Sequence, residues 1–188
     1  SPGLELRGIM IMPAPPNIRP FLQEVISEFD KVGLPYPIVS GGSTPCAFTA
    51  HEIPELTEFR AGEYPVGGIK HLSTGTHSVD QCAGRVLATV VSRPDEDRAV
   101  IDAGSKSLSA ATAEFNGQTV MGYVVEYPDA LLSGASEEHG QIDLKSCKNK
   151  PEIGEQVQII LAHPCPGFNE HDSIYALSLI HISEPTRP

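Results

Sequence analysis

Two rhythms of apolar positions open the chain. Leu4–Met12, "LELRGIMIM", alternates and is rich in Leu, Ile and Met, and the proline-rich "PAPPN" ends it, so a strand feeding a loop is predicted. The next segment, "RPFLQEVISEFDKVGL", repeats at helical spacing. Phe21, Leu22, Val25, Ile26, Phe29 and Val32 fall on one face, Pro20 suits a helix start, and Gly33 suits the position just past its end. A short run from Tyr36 to Val39 leads into the loop "SGGST", a helical turn is expected in "TAHEIPEL", and "TEFRAG" reads as another brief strand. Strand, helix, strand, glycine loop, strand implies parallel β-strands.

From about Cys82 the pattern changes. "RVLATVVSRP", "RAVIDAGS", "VMGYVVEYP", "GQIDLKS" and "EQVQIILAH" are short strands separated by Gly, Pro, Asp and Asn turns. Val157, Ile159 and Leu161 alternate with Gln156, Gln158 and Ile160, and no amphipathic helix interrupts the series. An antiparallel β domain is predicted. The expected organisation is a βα unit over residues 1–68, a linker at 69–81, and a β domain over 82–176. No internal repeat or low-complexity segment is visible.

Both ends change the picture. Ser1 is not a start residue and a strand begins within the first dozen positions, so an N-terminal truncation is expected. The tail Leu177–Pro188, "LSLIHISEPTRP", resembles translated sequencing-adapter read-through and is set aside, and His181 with it.

Composition narrows the function classes. The chain has 188 residues, 13 Lys and Arg against 24 Asp and Glu, and a net charge of −11. That balance argues against a nucleic-acid or anionic-membrane partner, which would call for a basic face. No apolar run is long enough to span a bilayer. Cys46, Cys82, Cys147 and Cys165 lie far apart without a CxxC pair, which fits a reducing, cytoplasmic setting better than a disulfide scaffold.

Several stretches hold candidate chemistry. "PIVSGGST" places two glycines and hydroxyls after a strand, where backbone N–H groups can face a phosphate; a tight turn needing glycine fits equally well. His163 and Cys165 in "AHPCPG" are donors suited to zinc, and on an extended chain both would point to one side. A lone HxC without a partner pair is common by chance, and on local pattern coincidence is the better account. Glu137, Glu138 and His139 in "ASEEHG" offer a carboxylate–histidine contact to a metal, but a solvated turn is the stronger reading. Asp102, Lys106 and Lys70 carry weaker signals still; for Asp102 and Lys106 a structural loop is the better reading, and Lys106 as a Schiff-base lysine has no support.

Taken together and in order, "GLELRGIM", "IVSGGSTP", "IPELTEFRAGEY", "RVLATVVSRP", "AVIDAGSKSLS", "SEEHG" and "HPCPGFNEHD" resemble the D-threonine aldolase and D-serine dehydratase family. These are alanine racemase-like, fold-type III enzymes using pyridoxal phosphate. The resemblance runs from Gly3 to Ala176. It implies the C-terminal part of a (β/α)8 barrel followed by an antiparallel β domain, and a head-to-tail homodimer when full length. It implies that Ser40, Gly41, Gly42, Ser43 and Thr44 bind the cofactor phosphate, that Tyr64 lies near the cofactor, and that His163 and Cys165 hold zinc or manganese. The implied substrate is a D-3-hydroxy amino acid. It would be cleaved to glycine and an aldehyde, or dehydrated to a 2-oxo acid and ammonia, and Cys165 in place of Asp leans slightly to the latter. The family's Schiff-base lysine has no match here, so this chain by itself is expected neither to hold the cofactor covalently nor to turn over. A non-catalytic protein of the same fold, and an amino-acid racemase, are the alternatives.

Overall fold

The computed structural model of the chain describes residues 3–176. The expected read-through tail, residues 177–188, lies outside the described residues.

The first region is a three-stranded parallel sheet in the order β1 (Gly8–Met10), β2 (Ile38–Gly42), β3 (Glu58–Arg60). Helix α1 (Arg19–Lys31) joins β1 to β2, with Pro20 in its first turn. Gly33 stands just past its end at φ +66°, and Leu34 N–H donates to the Phe29 carbonyl, closing the last turn. One small apolar cluster, Ala14, Leu22, Val39 and Ile53, holds helix and sheet together. Of the six apolar positions expected on a buried helix face, only Leu22 is fully buried, and Phe21 is 55% exposed. The strand expected over Leu4–Met12 is also shorter, and Met10 and Met12 face solvent.

The "SGGST" stretch is not a loop throughout. Ser40, Gly41 and Gly42 complete β2, in register with Glu58, Phe59 and Arg60. The lack of a side chain at Gly41 and Gly42 has a packing cause. A Cβ on Gly41 would stand 2.7 Å from a Leu56 methyl, and one on Gly42 would stand 2.6 Å from the Arg60 carbonyl oxygen. A 3-10 segment over Thr44–Glu52 follows; it starts before the helical turn expected in "TAHEIPEL", residues 49–56, and overlaps it only at 49–52.

The second region is a closed antiparallel barrel, in the order β10-β5-β4-β11-β8-β9. Its strands are β4 (Arg85–Asp95), β5 (Arg98–Ile101), β8 (Gly122–Val124), β9 (Leu131–Ala135), β10 (Gly140–Asp143) and β11 (Gln156–Leu161). Register shifts between β4 and β5 bend the long β4 around the barrel. Val90, Ile101, Leu132, Ile142, Val157 and Ile159 fill the interior with almost no exposure. Outside the barrel, β6 (Ala113–Phe115) and β7 (Gln118–Val120) form a hairpin turned by Asn116 and Gly117, both at positive φ. Helix α3 (Ser105–Leu108) is a single turn.

Residues 69–81, expected as a linker, are folded against the barrel instead. Helix α2 (Ile69–Ser73) buries Ile69 and His71 completely. Ile69 packs with Cys82, Tyr123, Ala162 and Ile160, the outward-facing residue of β11. That face of β11 is therefore apolar for a reason, and the "alternation" of the strand ends in residues buried on both sides. Among the described residues, no helix is long and apolar enough to cross a membrane.

Candidate metal and cofactor site

The two regions meet where β2 and β3 end on one side and β11 ends on the other. Gly67 and Gly68 make this approach possible. Gly67 sits at φ +68°, and a Cβ there would reach 2.7 Å from Cys82 Sγ. A Cβ on Gly68 would come within 2.9 Å of Pro164 Cδ, the residue between His163 and Cys165. The glycine pair thus lets the turn after β3 lie directly beneath the HxC turn.

At this junction lies a cavity of about 870 Å3 lined by Ser43, Thr44, Glu63, Lys70, His163 and Cys165 among others. Ser43 holds φ +147°, a backbone region that costs a non-glycine residue on the order of 1–3 kcal/mol. Such strain concentrates at sites where a side chain must be aimed against its backbone preference. Arg60, also on the wall, donates from Nε to Ser40 Oγ at 2.9 Å and from a terminal nitrogen to the Ile11 carbonyl at 2.9 Å. These bonds fix a positive charge close to Ser43 and Thr44.

The metal-type donors gather on one carboxylate. His163 Nε2 is 2.7 Å from Glu63 Oε1, and Cys165 Sγ donates to the same oxygen at 3.3 Å. Glu63, His163 and Cys165 each bring one ligand atom, all within 4.8 Å of one another, the one such group among the described residues. Behind them, His71 Nε2 stands 3.2 Å from the other oxygen, Glu63 Oε2, but without hydrogen-bond alignment, so neither ring nitrogen of this fully buried histidine has a hydrogen-bond partner among the described residues. Burial, chiefly, pushes the His71 pKa down, against the pull of Glu63. Burial and then the Glu63 carboxylate push the Cys165 thiol up, which keeps its proton on sulfur, facing Glu63.

Local sequence explains the placement of each donor. His163 is extended, whereas Pro164 opens helix α4 (Pro164–Asn169), so Cys165 lies in a first helical turn and not on an extended strand as expected. The helical turn, and not strand alternation, brings Sγ beside the imidazole. Glu63 is held by its own backbone: its N–H donates to Thr44 Oγ1 at 3.1 Å, and its carbonyl accepts from Val66 and Gly67.

The donor set fits a divalent ion. Imidazole nitrogen, sulfur and carboxylate oxygen are the zinc ligand types, and the proton that Cys165 Sγ donates to the carboxylate is what a cation displaces on binding. The phosphate side fits in part. Of Ser40 to Thr44, only Ser43 and Thr44 line the cavity; Ser40 Oγ is occupied by Arg60, and Gly41 and Gly42 serve strand packing. Tyr64 faces a neighbouring cavity of about 410 Å3 with Thr44, Phe48 and His77, and its carbonyl is hydrogen-bonded to the His77 ring at 2.9 Å. The other motifs stay away from the junction cavity. Ser105 and Lys106 N–H groups donate to Ser136 and Glu137 carbonyls, Lys106 pairs with Glu138, and Asp102 accepts the Thr89 N–H. "DAGSKS" and "SEEHG" thus pack against each other, and a Cβ on Gly104 would stand 2.4 Å from the Glu137 carbonyl oxygen.

Sequence reasoning missed Glu63, although it lies inside the quoted "RAGEY", and missed His71, which was placed in the linker. Glu63 and Cys165 are 102 residues apart, so no local pattern links them.

The chain is 32% identical over 160 residues to D-threo-3-hydroxyaspartate dehydratase from Delftia sp. (strain HT23), covering 78% of this chain and 42% of that protein. It is 28% identical over 150 residues to D-threonine aldolase from Arthrobacter sp., covering 76% of this chain and 36% of that protein. A cysteine-to-alanine mutant of a D-threo-3-hydroxyaspartate dehydratase in its metal-free form superposes with a TM-score of 0.73 at 23% identity, over 95% of this chain and 54% of that one. An alanine racemase-like protein from Idiomarina loihiensis gives 0.71 at 20% identity, over 90% and 52%. The fold is therefore shared with these proteins, and the chain spans about half, or less, of their length. The family model of the putative serine dehydratase domain matches residues 83–177, from the start of the barrel through the HxC turn. With that domain making up half of its length, the chain belongs to the putative serine dehydratase family.

Proposed function

We propose that the whole protein carrying this chain is a lyase for D-3-hydroxy amino acids, dependent on pyridoxal 5'-phosphate and on zinc or manganese. The observation that carries this reading is the single cavity of about 870 Å3 in which Ser43 and Thr44 face His163 and Cys165. Its volume is in the range of small-molecule and cofactor sites, about 300–1,000 Å3. The two relatives are named for substrates that both bear a 3-hydroxyl group. On this reading the parallel strands and α1 are part of a (β/α)8 barrel, for which the racemase-like neighbour is support.

Ser43 and Thr44 would hold the phosphate end of the cofactor, and His163 and Cys165 the ion. Bound there, the cofactor supplies an electron sink for the pair left at Cα and the ion a Lewis acid for the substrate's 3-hydroxyl. The chain's own residues position and neutralise. Thr44 Oγ1 accepts from Glu63 N–H, which leaves its hydroxyl proton to donate towards a phosphate oxygen. Arg60, fixed from two sides, balances that phosphate's charge. Lys70, exposed on the same wall, is placed to pair with a substrate carboxylate.

Product analysis tests the reading. The whole protein, loaded with cofactor and metal, is incubated with D-threonine and with D-threo-3-hydroxyaspartate. Glycine with an aldehyde identifies the aldolase reaction, and a 2-oxo acid with ammonia the dehydratase reaction. If neither pair forms from either substrate, the lyase assignment is wrong.

A further inference from the structure

We propose that Glu63 is a third ligand of the bound divalent ion, so that one metal centre is built from both regions of the molecule, with His71 steadying the carboxylate from behind. This rests on the reading that His163 and Cys165 hold the ion. Three arguments, two of them from observed geometry, point the same way. First, Glu63 Oε1 is the atom on which His163 Nε2, at 2.7 Å, and Cys165 Sγ, at 3.3 Å, already converge. A cation entering between those two donors meets that oxygen at once. Second, the charges close: a thiolate and a carboxylate neutralise a divalent ion, whereas histidine and thiolate alone leave one positive charge uncompensated in a part-buried site. Three protein ligands with a remaining open position is also the usual composition of a catalytic zinc centre.

The third argument is His71. It is completely buried, its ring nitrogens have no hydrogen-bond partner among the described residues, and Nε2 lies 3.2 Å from Glu63 Oε2, the oxygen that His163 and Cys165 do not contact. A small rotation of the imidazole or of the carboxylate makes that contact a hydrogen bond. The carboxylate then has one oxygen for the ion and one for a buried donor, the arrangement by which supporting groups fix a ligand's orientation. Glu63 is delivered from the β3 side by its N–H bond to Thr44, while His163 and Cys165 come from the end of β11. The ion would therefore clamp the parallel-sheet region to the barrel.

The test is zinc titration of the metal-stripped whole protein in competition with a chromogenic chelator. Wild type is expected to bind one ion per chain at this site, and His163→Ala to lose it. Glu63→Gln, which keeps side-chain volume, is expected to weaken zinc by at least the roughly 10–100-fold typical for loss of a group that only supports a metal ligand. His71→Asn is expected to weaken it less than Glu63→Gln does. If Glu63→Gln binds as tightly as wild type while His163→Ala does not, the third-ligand proposal is overturned and the two-residue metal site stands. If wild type takes up no zinc, or His163→Ala binds like wild type, the underlying site assignment fails as well. Hydrogen exchange of wild type with and without zinc keeps the question open to refutation even if Glu63→Gln does not fold. Slower exchange of the 62–67 amides on zinc binding is expected, and unchanged exchange there rules out ligation by Glu63.

Discussion

The barrel and the parallel sheet solve the problem of burying β-structure in opposite ways. The barrel closes on itself, so its six strands leave no edge, and its interior is filled by residues with almost no exposure. The sheet has three parallel strands, leaves β1 and β3 as edges, and is held by one small apolar cluster. Met10 is 74% and Phe48 70% exposed in that region. Parallel strands are stable when both faces are covered, and closed antiparallel barrels need no such cover. The lesson is a division of labour. The barrel is a self-sufficient platform that presents His163 and Cys165, and the sheet region brings Ser43, Thr44 and Glu63 to it.

The sharpest way to break the contrast is to cut into the barrel core. Ile159→Ala or Leu132→Ala, each at fully buried positions, is expected to cost about 2–5 kcal/mol in urea unfolding. Met10→Ala, by comparison, is expected to stay within about 0.5 kcal/mol. Equal losses would remove the distinction between the regions.

Zinc comes next in size. At free zinc about 100-fold above its dissociation constant, the whole protein is expected to gain about 2.7 kcal/mol, read as a rise in melting temperature. His163→Ala should abolish the gain. Gly68→Ala attacks the junction itself, because the added methyl meets Pro164 Cδ at 2.9 Å and the Leu161 carbonyl at 3.2 Å. Overpacking of this kind costs about 1–3 kcal/mol. Zinc affinity is expected to fall while the barrel amides keep their slow hydrogen exchange.

The smallest effect lies within the barrel region. Tyr127 donates to Glu155, and burial, reinforced by that carboxylate, pushes the tyrosine up to about 12. Because the folded value lies above the ordinary tyrosine value of 10.0, the folded state holds the proton more tightly. The contribution is complete below about pH 10 and is lost as pH rises towards 12. Glu155 is held below its ordinary value by the same bond, so its share is lost as pH falls through the acid range. Tyr127→Phe is expected to cost about 1 kcal/mol at neutral pH and to flatten the alkaline decline measured by thermal melts.

Much of this architecture was legible in the residues. The helix over Arg19–Lys31 with its Gly33 stop, the parallel order, and the change to antiparallel strands after Cys82 all follow from periodicity and turn chemistry. What failed did so for physical reasons. Asn116-Gly117 is a strong hairpin signal, but the strands it joins are three residues each and too short to show alternation. Residues 69–81 looked like a linker because a five-residue helix carries little periodicity, yet tertiary packing buries Ile69 and His71. His163 and Cys165 read as an extended pair, yet Pro164 between them favours the first turn of a helix, and there the helix won. The glycines of "SGGST" suit a phosphate or a turn by sequence; Leu56 and Arg60 supply a third cause, close strand packing. Glu63 could not be read at all, because its significance depends on partners a hundred residues away.

The central claim is that one ion sits in the junction cavity and is held from both sides. Crystals of the zinc-loaded whole protein, measured at the zinc absorption edge, test it most directly. One anomalous peak is expected between His163 Nε2 and Cys165 Sγ, with a Glu63 oxygen completing the protein ligands. A peak held by barrel residues alone, or no peak in this cavity, would contradict it.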